Sequence, residues 1–389
     1  MTRLRPLAAA LALAVALAAP ARALDVAARE ALVIDATTGA ELLSINADER
    51  VPPASMLKLM TLYMVFEALE EGRLTLDDRF PVSEKAWRMG GSRMFVEVGE
   101  QVRIEDLIRG ITVLSGNDAA VVLAEGLAGS EEAFAARMND RARELGMDDS
   151  RFANATGWPA PDQHMSARDL VFLAREMVVR FPDLYRYFAE TDFEWGGVAQ
   201  RNRNPLLYAD VGGDGLKTGH TQEAGYGLVG SAVRDGRRVV FMVGGYDSER
   251  TRARETALIV NWAFREFENV TLYRAGDRLA EAEVWLGARP KVALTLAEDV
   301  LLTIPFGTRE QVTATLRWTG PLEAPIAAGA QVGELALAPP GMAETVVPVV
   351  TAESVGEGGY LVRLETAARG VARDLLGGTG LLERLGLGG

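Results

Sequence analysis

Three short stretches of this 389-residue chain bring together residue types that can do chemistry. In Ser55-Met56-Leu57-Lys58 the serine and lysine stand three apart, so on a helix they share one face, a turn apart. A serine hydroxyl is a poor nucleophile until a base takes its proton. A lysine can be that base only if its pKa falls, which burial beside a second cation achieves.

Ser115-Gly116-Asn117 follows the apolar Ile111-Thr112-Val113-Leu114, where a loop can present side chains into a cleft. Ser115 could relay a proton there, and Asn117 could hold a substrate amide by donating and accepting together. Lys217-Thr218-Gly219 lies on a strand-like run. Lys217 and Thr218 can bind a carboxylate, and Gly219 lets a backbone approach the strand closely. Alone, the first two stretches have ordinary readings, a helical Ser–Lys pair and a turn or helix cap. In this order, each on a fitting element, the three describe acyl transfer through a serine ester.

The elements that must position them alternate. Ala31 to Asp35 and Thr38-Gly39 read as a short strand and turn. Pro52-Pro53 precede a helix from Ser55 to Leu69, and Pro is well tolerated near a helix start. Glu131 to Leu145 and Ala167 to Val179 are amphipathic helices. Gly215 to His220, Tyr226 to Arg234 and Arg237 to Gly244 are strands, with Asp235-Gly236 as a tight hairpin turn, and Arg254 to Phe267 is helical again. This pattern predicts an α+β fold in which helices cover an antiparallel sheet. Past Thr271, short β-type runs separated by Gly, Pro and charged turns predict a small all-β sandwich. The expected divisions are a catalytic domain over residues 24–268, the β domain over 269–364 and a tail over 365–389.

Residues 1–23 read as a secretory signal: Arg3 and Arg5, an apolar run from Leu7 to Ala19, and a small-x-small site at Ala21-Arg22-Ala23. The expected location is therefore outside the cytoplasmic membrane, periplasmic. With no cysteine and two histidines, His164 and His220, thiol catalysis and cysteine metal sites are excluded, and no metal or other cofactor is expected. The formal charge of −13 becomes about −16 without the signal, which argues against a nucleic-acid partner.

The chain resembles the low-molecular-mass penicillin-binding proteins with D-alanyl-D-alanine carboxypeptidase activity. The resemblance rests on residues 53–61 (PASMLKLMT), on Leu107-Ile108-Arg109-Gly110 running into Ser115-Gly116-Asn117-Asp118-Ala119, on Ser166-Ala167-Arg168-Asp169-Leu170, and on Lys217-Thr218-Gly219-His220-Thr221. It implies a β-lactamase/transpeptidase-like catalytic domain that acts on peptidoglycan stem peptides ending in D-Ala-D-Ala, with β-lactams as covalent inhibitors.

It further implies that Ser55 is acylated, that Lys58 is its base, and that Ser115 and Lys217 pass a proton to the departing D-alanine. Asn117 would hold the peptide amide. The backbone N–H groups of Ser55 and His220 would form the oxyanion hole, and Thr218 with Arg252 would hold the terminal carboxylate. Arg250 and Arg254 compete with Arg252 for that role. Two departures stand out. Leu57 occupies a place where the family usually has threonine, and the leucines of the tail, interrupted by Gly377, Gly378 and Gly380, leave peripheral membrane contact open.

Three rivals share the fold. A β-lactamase needs a carboxylate to drive deacylation, and residues 150–175 contain no glutamate. A D,D-endopeptidase would use the same chemistry on cross-links. A silent wall-binding protein would not need three intact motifs.

Overall fold

The computed structural model describes residues 24–360. The chain begins with strands β1 (Glu30–Asp35) and β2 (Glu41–Ile45), then a 3-10 turn (Ala54–Leu57) that runs into helix α1 (Lys58–Glu70). Strand β3 (Arg79–Pro81), the short α2 (Glu84–Trp87) and β4 (Gln101–Arg103) follow. Then come α3 (Ile104–Thr112), α4 (Asn117–Ala128), α5 (Glu131–Glu144), α6 (Ala167–Arg180) and α7 (Pro182–Tyr185). A small hairpin, β5 (Asp192–Trp195) and β6 (Val198–Arg201), precedes three long strands, β7 (Gly213–Thr221), β8 (Gly225–Arg234) and β9 (Arg237–Tyr246), and helix α8 (Glu249–Glu266).

The central sheet is antiparallel, in the order β2-β1-β9-β8-β7. Successive side chains on a strand face opposite ways. Leu32 and Ile34 of β1, with Val240 and Met242 of β9, enter one apolar cluster beneath α1, α3, α4 and α6. Ala31, Val33, Val239, Phe241 and Val243 enter the other, against Ile259, Val260 and Ala263 of α8. Burial on both faces explains why these strands are continuous apolar runs, and it makes the domain a three-layer α+β fold, as the residue pattern predicts.

Helix α1 threads the first cluster and is buried nearly all round, as an all-apolar helix must be. The only charged side chains in its buried stretch are Lys58 and Glu67. Glu67 accepts from Arg141 and Arg180. Lys58 has no such anion against it and belongs to the site.

Strands β10 (Phe267–Tyr273), β11 (Ala280–Trp285), β12 (Lys291–Thr295), β13 (Val300–Pro305), β14 (Thr313–Trp318), β15 (Leu322–Glu323), β16 (Gln331–Ala338) and β17 (Thr345–Thr351) complete the all-β part. Its two sheets, β10-β13 and β14-β16-β17-β12-β11-β15, share one core around Leu294, Ile304, Leu337 and Val349. The last helix of the first part starts earlier than its apolar spacing suggests. Ser248 caps it by accepting from the Thr251 N–H at 3.1 Å, and Phe267 already belongs to a strand. Among the described residues no helix is long and apolar enough to cross a membrane. Residues 1–23, read above as an export signal, and the tail over 365–389 lie outside the described residues.

Candidate active site

Ser55 and Lys58 sit in different elements. The residues from Ala54 to Leu57 form a 3-10 turn, and the α-helix begins at Lys58. This corrects the expectation of one continuous helix, and the change serves the chemistry. At three residues per turn, positions i and i+3 eclipse each other, so the amine is carried straight over the hydroxyl. Lys58 Nζ lies 3.0 Å from Ser55 Oγ.

That amine is fully buried and has two further partners, Asn117 Oδ1 at 2.7 Å and the Thr156 carbonyl at 2.5 Å. A neutral amine has two N–H bonds and one lone pair. With both N–H groups committed to carbonyl acceptors, the lone pair is left facing the serine hydroxyl. Burial pulls the Lys58 pKa down to about 7, against the pull of Asp118 and with help from the Arg203 guanidinium.

Asn117 is the first residue of α4, and its Nδ2 donates to the Gly90 carbonyl at 2.8 Å. Both ends of the amide are therefore occupied in the free protein, the oxygen by Lys58 and one N–H by Gly90. Asn117 thereby fixes the direction of the Lys58 amine. Ser115 lies between α3 and α4 in the left-handed region, at φ 60°, a conformation that costs a non-glycine residue roughly 1–3 kcal/mol and clusters at functional sites. Its hydroxyl accepts from Lys217 Nζ at 2.8 Å, and the same amine reaches the Thr218 carbonyl at 3.1 Å. Burial, together with the charges of Lys58, Arg203 and Arg252, holds the Lys217 pKa well below that of an ordinary lysine.

Two glycines let these elements meet. A side-chain carbon at Gly219 would contact Met56 Cγ at 3.0 Å and Ala54 Cβ at 3.2 Å, so its bareness admits the turn that carries Ser55 against β7. Gly157 has φ +77°, and a Cβ there would lie 1.8 Å from the Ala54 carbonyl oxygen. Gly157→Ala should therefore push the turn that carries Ser55. A displacement of about 1 Å costs on the order of a hundredfold in rate. We expect acylation by benzylpenicillin to slow by at least that factor in this variant, followed by intact mass over time. An unchanged rate would show that the loop yields instead of the turn.

Of the three arginines considered for the carboxylate, Arg252 is buried while Arg250 and Arg254 are exposed. Arg254 pairs with Glu255 at 2.9 Å. The Arg252 guanidinium lies 5.8 Å from the Tyr226 ring centroid, its Nε has no partner, and its Nη2 reaches the Arg203 carbonyl at 3.5 Å. Thr218 is buried on β7, and the exposed His220 ring stacks on Tyr226 with centroids 3.9 Å apart.

Arg203 is the residue that motif reading misses. It follows the β5–β6 hairpin, donates to Ser92 Oγ at 2.7 Å, and raises the positive potential felt by Lys58, Lys217 and Arg252. Ser92 in turn receives the Asn117 backbone N–H on its carbonyl, at 2.8 Å. No short motif contains Arg203, and its place shows only once the hairpin is folded.

Comparison with known proteins gives a consistent result. The profile described as D-alanyl-D-alanine carboxypeptidase matches residues 15–248, and that of the penicillin-binding protein 5 C-terminal domain matches residues 267–357. The D-alanyl-D-alanine carboxypeptidase DacD of Salmonella typhimurium is 37% identical over 341 residues, which cover 86% of this chain and 87% of the relative. DacC of Escherichia coli is 36% identical over 345 residues, covering 87% and 86%. Among solved structures, penicillin binding protein 5 from Haemophilus influenzae superposes with a TM-score of 0.78 at 33% identity, covering 86% of this chain and 99% of that one.

Proposed function

Because the chain belongs to the D-alanyl-D-alanine carboxypeptidase family, we propose that Ser55 is the nucleophile with which it removes the terminal D-alanine from wall peptides. The activity is that of a serine-type D-Ala-D-Ala carboxypeptidase, a peptide hydrolase. The observation that carries the assignment to Ser55 is the buried Lys58 amine, with both N–H groups spent on Asn117 and Thr156 and its third direction on Ser55 Oγ.

In this reading Lys58 takes the Ser55 proton as Oγ attacks the penultimate D-alanine carbonyl. The oxyanion forms against the N–H groups of Ser55 and His220. As the C–N bond breaks, a proton from the Ser115–Lys217 pair reaches the leaving nitrogen, and free D-alanine departs. The pair recovers that proton from Lys58, which is neutral again. Lys58 then takes a proton from water as the water oxygen adds to the ester carbonyl, and hands it to Ser55 Oγ as the C–Oγ bond breaks and the shortened peptide leaves. Thr218 and Arg252 hold the substrate carboxylate through a charge-assisted contact. Gly219 supplies clearance, and Asn117 keeps the base in place.

The mature chain is proposed to work outside the cytoplasmic membrane, with residues 1–23 as an export signal. A catalytic unit over 24–268 would be followed by a β unit over 269–364. Contact of the tail with the membrane is a separate proposal, tested by whether deleting residues 365–389 changes membrane fractionation.

A second reading as a β-lactamase finds no support in the site. Of the aspartates between residues 150 and 175, Asp169 accepts from Ser150 Oγ at 2.7 Å at the start of α6, and Asp162 is exposed on a loop. The test is intact-mass spectrometry with benzylpenicillin. We expect the protein to gain the mass of one benzylpenicillin and to hold it through many minutes. Rapid loss of the drug with no adduct would replace the carboxypeptidase reading with the β-lactamase one.

A further inference from the structure

We propose that Trp158 is a positioning residue of the reaction: its indole clamps the loop that holds Asn117 against the loop that holds Lys58, and so fixes and seals the general base. The inference rests on Lys58 as the base of Ser55 and adds a residue that none of the three motifs contains.

Two separate loops supply the carbonyls that direct the base. The Thr156 carbonyl takes one N–H of Lys58, and the Gly90 carbonyl takes the Asn117 amide whose oxygen holds another. Among the described residues no hydrogen bond joins residues 90–91 to residues 154–158. The indole of Trp158 bridges them instead. A side-chain carbon at Gly90 would lie 3.6 Å from Trp158 Cη2, and one at Gly91 would lie 3.0 Å from Trp158 Cζ3. The same point at Gly91 is 3.0 Å from Asn117 Nδ2, so the ring edge lies beside the amide that steers Lys58.

Three hydrogen bonds fix the backbone beneath the ring. The Trp158 N–H donates to Thr156 Oγ1 at 3.1 Å, and its carbonyl accepts from Asn154 Nδ2 at 2.9 Å and Gln163 Nε2 at 2.8 Å. Asn154 Oδ1 in turn accepts from the Thr156 and Gly157 N–H groups. Yet the Trp158 side chain is 50% exposed, so it belongs to the rim of the site and not to the core. Burial is the largest cause of the low Lys58 pKa, and the charges that bear on the amine are those of Asp118, Arg203, Glu131 and Lys217. Removing an uncharged ring alters none of those charges. It lets the two loops part and water approach the amine, which relieves the desolvation and raises the pKa.

The test is the second-order rate constant for acylation by benzylpenicillin between pH 5 and 9, for the unaltered enzyme, Trp158→Ala and Trp158→Phe. In Trp158→Ala we expect the high-pH plateau to fall by about ten- to a hundredfold, the cost of misplacing a catalytic group by up to about 1 Å. Its rising limb should move to higher pH by about half a unit or more as water reaches Lys58. Trp158→Phe keeps an aromatic face on the glycines and should restore both, the rate to within about threefold. A midpoint that stays in place in Trp158→Ala would make the indole a ligand contact if the plateau falls and a bystander if it does not. Either result, or a midpoint that Trp158→Phe leaves shifted as far, would overturn the clamp while Ser55 and Lys58 keep their roles. No adduct on the unaltered enzyme would overturn the base assignment and the clamp together.

Discussion

Ser55→Ala should reduce D-alanine release from a D-Ala-D-Ala peptide by about 10⁴- to 10⁶-fold and abolish the penicilloyl adduct. Losing a serine nucleophile removes the covalent route altogether, and what survives is binding plus the oxyanion site. The fold should not confuse the result. The hydroxyl makes one hydrogen bond, to Lys58, whose amine keeps Asn117 and Thr156 as partners. The stability change should stay near 1 kcal/mol, the net worth of an ordinary hydrogen bond. Turnover and adduct are measured on the same preparation, with a thermal melt as control. If the alanine variant still formed the adduct, the nucleophile would lie elsewhere, and Ser115 would be the next residue to replace.

The parts of this site that were legible in the sequence are those whose chemistry is local. Ser55 and Lys58 are one turn apart in any helical conformation, Ser115 and Asn117 flank one glycine, and Lys217 to Gly219 lie on one strand. The antiparallel sheet with its covering helices was legible for a similar reason, since alternation and helical spacing are short-range signals. The Thr156 carbonyl was not legible, because a backbone acceptor has no sequence signature and it reaches Lys58 across 98 residues. Nor was Arg203, whose role depends on where a hairpin delivers it.

The 3-10 geometry of residues 54–57 was hidden too. Pro-Pro-Ala-Ser suits either kind of helix start, and the close approach of this turn to Gly157 and Gly219 has no signature in the local sequence. In the β part, Pro348 interrupts the apolar run of β17, yet the strand pairs with both β12 and β16. Proline in a paired strand reads as an edge signal, and here tertiary pairing overrides it.

The second large effect concerns proton count at Lys58. A base works only when it is deprotonated, and burial holds this lysine at about 7. Because that value is depressed, the active form is the majority above pH 7 and the inactive, protonated form dominates below it. The second-order rate constant for acylation by benzylpenicillin should thus rise with pH by about tenfold per unit below the midpoint and level off above it. Lys217 lies in the same positive field and is lowered as well, so the midpoint is a property of the lysine pair.

Lys58→Arg separates charge from basicity. A guanidinium keeps the positive charge and can donate to Asn117, yet it does not give up its proton in this range. That variant should acylate at least about 10³-fold more slowly at every pH and show no rising limb. A flat profile in the unaltered enzyme between pH 5 and 8 would remove Lys58 as the base and transfer the role to the Ser115–Lys217 pair. A rising limb that disappears in Lys58→Arg ties the base to this one amine, held by Asn117 and Thr156 with its lone pair on Ser55.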